Sequence, residues 1–229
     1  MLNEANKTAA ELASENGKAE VAKFITEYKL DANIRNKLRS RLRSTTLETT
    51  QYGVGEATRK DEERASLHAA AEEGDADVVK LLLKRGVDIN NRNASNQTPL
   101  GRAARKGNID VVRLLIEQGA EVDARDMRGW TPLHFASRFG HLEVSRALVD
   151  HGANVNARQR DHWTPLDLSA GNGHLGIVRL LLECGADVLA VNGDGQTPYQ
   201  LSLQRGNREI ADLLHEHGAG RARFEWFLL

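Results

Sequence analysis

The chain has 229 residues, of which 40% are apolar, 28% charged and 5% aromatic, and its formal net charge is -1. That length can bury a sizeable core, and the composition is that of a globular protein packed by aliphatic side chains. No run of about 18 apolar residues spans a membrane, and the first residues lack the apolar core of a secretory signal. Cys184 is the only cysteine, so no internal disulfide forms, and an intracellular location, cytoplasmic or nuclear, is the expectation.

In chain order, the first element is Thr8-Ala9-Ala10-Glu11-Leu12-Ala13, with Gly17 nine residues beyond Thr8. Thr suits a helix N-cap, and Gly a left-handed helix end. Lys29 stands where later copies of this pattern carry a second Gly. Residues 1–33 therefore read as a degenerate first unit, either a cap or the start of a unit inside a longer array.

Residues 34–58 form an insertion, basic and then polar. Arg35, Lys37, Arg39, Arg41 and Arg43 have no acid among them, and Ile34, Leu38 and Leu42 are four apart. A short amphipathic helix with a basic face fits that spacing. Ser40 and Ser44 each follow a basic residue by three positions, which makes them candidate phosphorylation sites. A solvated linker fits the stretch equally.

Over residues 59–220 a fixed period takes over. Thr98-Pro99-Leu100, Thr131-Pro132-Leu133, Thr164-Pro165-Leu166 and Thr197-Pro198-Tyr199 recur every 33 residues, and Ala65-Ser66-Leu67-His68 lies one period earlier. Gly74, Gly107, Gly140, Gly173 and Gly206 keep the same step, as do Gly86, Gly119, Gly152, Gly185 and Gly218. Thr caps a first helix, Pro starts it where no N–H is needed, and the first Gly ends it. A second helix follows, with aliphatic residues such as Val111, Val112, Leu114 and Leu115 on one face. Stretches such as Asp126-Met127-Arg128-Gly129 and Asn192-Gly193-Asp194-Gly195 read as turns between units. The last residues, 221–229, include Phe224, Trp226 and Phe227. This apolar tail either covers the end of the stack or is presented to a partner.

Five columns in register, with the Thr-Pro-Leu-His string at Thr131–His134, resemble the ankyrin-repeat family. Six units are present, the first of them degenerate. The resemblance implies an all-α solenoid of stacked helix–turn–helix units with short β-hairpin tips, an α–α superhelix. It also implies a scaffold or adaptor for protein–protein interaction rather than an enzyme.

Catalytic and metal-binding chemistry find little support. His68, His134, His141 and His174 fall in columns that resemble structural positions of the family. His215 and His217 are two apart with no cysteine ligand nearby, and Cys184 has no accompanying base. Asn192–Gly195 resembles a calcium loop but lacks its glutamate. No cofactor, metal or catalytic residue is expected.

The resemblance places partners on the hairpin tips and the ends of the first helices. Those columns hold Arg92, Arg105 and Lys106 in the third unit. In the fourth they hold Arg125, Met127, Arg128, Trp130, Arg138 and Phe139, and in the fifth Arg158, Arg160, Asp161 and Trp163. Eight are basic and one, Asp161, is acidic. Arg92, Arg125 and Arg158 share a column, as do Trp130 and Trp163, and Arg and Trp are enriched at binding hot spots. The alternative is scaffold duty, with the Trp side chains covering the hairpins and the cations opposing helix dipoles. The expected partner is a protein segment bearing acidic or carboxylate groups, bound by a monomer. Asp61, Glu62, Glu72 and Glu73 reverse the charge in the second unit. That reversal and the near-zero net charge argue against a continuous nucleic-acid track, which is kept as an alternative with a regulatory arm of a larger protein. Asn90 and Asn156 resemble the hydroxylated asparagines of the family.

Overall fold

The computed structural model describes Arg64 and residues 67–219. The chain divides at Val54 and Gly55, and every described residue lies in the part from Gly55 onward. The first unit, the insertion with Ser40 and Ser44, Asp61 and Glu62, and the tail 221–229 lie outside the described residues.

Residues 67–73 are helical and are followed by α1 (Ala76–Lys84). Then come α2 (Pro99–Lys106), α3 (Ile109–Glu117), α4 (Pro132–Phe139), α5 (Leu142–Asp150) and α6 (Pro165–Asn172). After these come α7 (Leu175–Glu183), α8 (Pro198–Gln204), α9 (Arg208–Leu214) and a π-helical turn, His215–Ala219. Helices α2, α4, α6 and α8 pack side by side in one row, and α1, α3, α5, α7 and α9 in a second. This is the stacked all-α repeat that the period implies.

Local chemistry sets each element. The hydroxyls of Thr98, Thr131, Thr164 and Thr197 cap α2, α4, α6 and α8 by accepting the N–H three residues on, and Pro occupies the first turn of each. Leu67, Leu100, Leu133, Leu166 and Leu201 repeat one buried position of the first row, and Leu82, Leu115, Leu148, Leu181 and Leu214 one of the second. Full burial of each leucine is worth roughly 2 kcal/mol, so the aliphatic column holds the rows together.

The hairpin tips differ from expectation. Among the described residues no strand forms. Each tip is a turn closed by one backbone bond, such as Asp126 N–H to Trp130 O at 3.0 Å and Gln159 N–H to Trp163 O at 3.1 Å. Side-chain oxygens of Asn93, Asp126 and Asn192 accept two N–H groups inside their own turns and so replace a β ladder. Adjacent tips share a single backbone bond: Met127 to Ser95 (3.1 Å), Arg160 to Arg128 (3.1 Å) and Gly193 to Asp161 (2.7 Å).

Side chains add further ties between units. Asn108, His141, His174 and Asn207 stand at the starts of the second helices yet make no cap there. They reach back instead to the end of the preceding unit's first helix. Asn108 donates to Ala71 O and Glu72 O at 2.9 Å, and His141 and His174 donate through Nε2 to Arg105 O and Arg138 O at 3.1 Å. Those carbonyls belong to the helix end that has no partner of its own.

Candidate functional site

A cavity of about 390 Å³ opens between the third and fourth units. The tip residues Ser95, Asp126, Met127 and Arg128 line one margin, and Arg105, Arg138 and Phe139, at the ends of α2 and α4, line the other. Trp130 and Phe135 form the floor, with ring centroids 5.1 Å apart. Phe135 is buried, Trp130 is half-buried, and Met127 and Phe139 are 50% and 43% exposed.

The floor also orders the cations. The Arg138 guanidinium lies 5.4 Å from the Trp130 ring and 5.9 Å from Phe139, and that of Arg105 lies 5.8 Å from Phe139. Such contacts are worth about 0.5–1 kcal/mol when exposed. Among the described residues no carboxylate pairs with Arg105, Arg128 or Arg138. Asp126, the acid of the lining, has one oxygen committed to the N–H groups of Arg128 and Trp130.

The charge is balanced beside this cavity. Glu72 pairs with Arg102 and, at 3.2 Å, with Lys106. These three line a neighbouring cavity of about 470 Å³ with His68, Ala69, Glu73 and Asn93. The acidic second unit therefore meets the basic third unit in ion pairs within the chain.

Met127, Arg128, Trp130, Arg138 and Phe139 come together at the first cavity; the other sequence-derived residues lie apart from it. Arg92 donates to Asn96 O (3.1 Å) and Arg125 O (2.7 Å) and pairs with Glu121 at 3.3 Å. Arg158 donates to Val191 O at 3.1 Å. Both thus brace the tip 33 residues further on. Arg125 and Arg160 are exposed and Trp163 is half-buried. The equivalents of Phe135, Arg138 and Phe139 beside Trp163 are Leu168, Gly171 and Asn172, so the aromatic floor and cationic rim are absent there. Asn90 and Asn156 accept the N–H of Glu121 (2.9 Å) and Asp187 (2.8 Å) in the next unit. Phe135 and Arg105 complete the site but were missing from the shortlist. A reading of positions four and seven after each Thr would have found them.

Two buried ionisable groups stand at equivalent capping positions. His134 Nδ1 accepts from the Thr131 N–H (3.2 Å) and hydroxyl (2.8 Å), so Nε2 carries the proton and donates to Trp163 O at 3.1 Å. Burial lowers its pKa to about 4. Asp167 accepts the Thr164 N–H and hydroxyl with one oxygen, both at 2.8 Å, while its other oxygen has no protein partner. Burial raises its pKa to about 6, opposed by the Thr164 bonds and by Arg158. Neither side chain reaches the surface, so their bonds serve the helix starts.

Among the described residues, no cluster of three His, Cys, Asp or Glu could hold a metal. No helix there is long and apolar enough to cross a membrane.

Capped helix pairs, a 33-residue step and side-chain ties from unit to unit define a stacked helical-repeat protein. The sequence matches the family described as Ankyrin repeats (3 copies) over residues 46–126, 67–159, 120–192 and 158–223, and the chain belongs to that family. No curated protein matches it. Ankyrin repeats are generally protein–protein interaction modules and typically non-enzymatic.

Proposed function

We propose that the chain is a non-enzymatic scaffold that captures an acidic or carboxylate-bearing protein segment at the cavity between α2 and α4. One observation carries the reading: Arg105, Arg128 and Arg138 surround an aromatic floor without intramolecular carboxylates. Stacked guanidinium groups are already oriented, so a carboxylate meets them at a reduced entropic cost. The ordered register from Arg92 to Arg160 belongs to the same face, but its outer members serve mainly to hold the tips.

The test compares a labelled oligoglutamate peptide with a single-stranded oligonucleotide of equal charge, by fluorescence anisotropy at several salt concentrations. Peptide binding that is lost in Arg105→Glu/Arg138→Glu supports the reading. Equal binding by that variant, or a steep salt-dependent preference for the oligonucleotide, sinks it.

A further inference from the structure

We propose that this cavity takes one large apolar side chain, aromatic for preference, from a segment that carries acidic residues on both sides of it. The inference rests on the acidic-segment reading above and adds the anchor and its flanks.

The shape of the lining argues for an anchor. A surface that bound carboxylates alone would need only its rim. Here Met127 and Phe139 are left exposed above a floor of Trp130 and Phe135. The volume of about 390 Å³ falls in the range of roughly 300–1,000 Å³ typical of pockets that enclose a compact group. An apolar side chain seated there covers Met127 and Phe139 and excludes water from the rim. A carboxylate placed on that floor would lose its hydration with no donor beneath it.

The position of the cations argues for flanking acids on both sides. Arg128 stands with the tips at one margin, and Arg105 and Arg138 stand at the helix ends on the other. A chain that crosses between those margins with its anchor down brings the preceding and following side chains to opposite rims. Carboxylate bonds to guanidinium are the stronger, charge-assisted kind, and exclusion of water by the anchor strengthens them.

The register is limited to one step of the repeat. Toward the second unit, Arg102 and Lys106 already pair with Glu72. Toward the fifth, Leu168, Gly171 and Asn172 replace the floor and rim. The arrangement thus selects a single short motif rather than an extended acidic tract.

The experiment is selection of a phage-displayed random dodecapeptide library on the full-length protein. Supporting clones carry a large apolar residue with Asp or Glu on both sides, and their recovery falls about tenfold or more on Arg128→Ala/Arg138→Ala. Met127→Glu gives the same loss from a single exposed position. Helical circular dichroism and melting temperature check that both variants fold. Acid-rich clones without an apolar anchor overturn the inference and leave the acidic-segment reading standing. Clones without acidic enrichment overturn both.

Discussion

The His141 imidazole fills the place where a side chain on Gly107 would begin. A β-carbon on Gly107 would come within 2.5 Å of His141 Nδ1, and the same ring donates to Arg105 O. His174 stands in the same relation to Gly140, where the closest approach is 2.7 Å. The glycine column therefore does two things: it turns the chain at φ 78° in Gly107, and it leaves room for a ring from the next unit.

The two effects can be separated. Gly119 has φ 86° and nothing within 4 Å of an added β-carbon. Gly119→Ala should cost about 1 kcal/mol, the conformational penalty alone. Gly107→Ala should cost about 2–4 kcal/mol, because the His141 ring must also be displaced. Urea unfolding of both variants measures the difference, and equal losses would contradict the role given to His141.

The back-reaching bond makes its own prediction. His141→Ala leaves Arg105 O without its donor and should lower stability by about 1 kcal/mol. His141→Asn should recover much of that, since Asn108 and Asn207 make the same bond from the same column. Thermal melts of the two variants provide the comparison.

The two buried titrating groups pull stability in opposite directions. Below pH 6.5 the unfolded chain protonates His134 while the folded chain holds it neutral down to about pH 4, so stability is lost as pH falls through that window. Asp167 keeps its proton in the folded state up to about pH 6, against 3.8 unfolded. Its contribution is present at low pH and is lost as pH rises toward and through 6. Each effect is on the order of 2–3 kcal/mol, so the two largely offset one another. His134→Gln should remove the acid-side loss, with glutamine bonding Thr131 as Gln200 bonds Thr197. Asp167→Asn should raise stability at pH 8 and change it little at pH 4. Denaturant midpoints from pH 4 to 8 should therefore slope oppositely in the two variants.

At the cavity, floor and rim should separate stability from binding. Trp130→Ala removes packing on Phe135 and a seat for Arg138, and should cost about 2 kcal/mol as well as peptide affinity. Arg138→Ala removes only exposed stacking. It should leave the melt within about 1 kcal/mol of the parent while weakening peptide binding. Anisotropy titrations alongside melts check both.

The Thr-Pro starts, the glycine stops and the aliphatic columns were legible in the sequence because their chemistry is local or strictly periodic. The tips were legible as turns, but not their lack of strands, because Asn93, Asp126 and Asn192 close them through side chains. The site was legible in part. Met127, Arg128, Trp130, Arg138 and Phe139 were found from column position alone. The same reasoning set Arg92 and Arg158 beside them, since no sequence column tells whether a guanidinium turns outward or to a carbonyl 33 residues away. Phe135 was overlooked because it sits inside the helix beneath Trp130, where burial depends on packing between turn and helix.

The ties between units also decide how the stack comes apart. Asn108, His141, His174 and Asn207 reach backward, whereas Arg92, Arg158, Asn90 and Asn156 reach forward. Peeling a unit from either end therefore strands hydrogen-bonding groups on the neighbour that remains. A chain pulled from its ends would resist the detachment of a lone repeat, and its rupture events would release more than 33 residues of slack at a time.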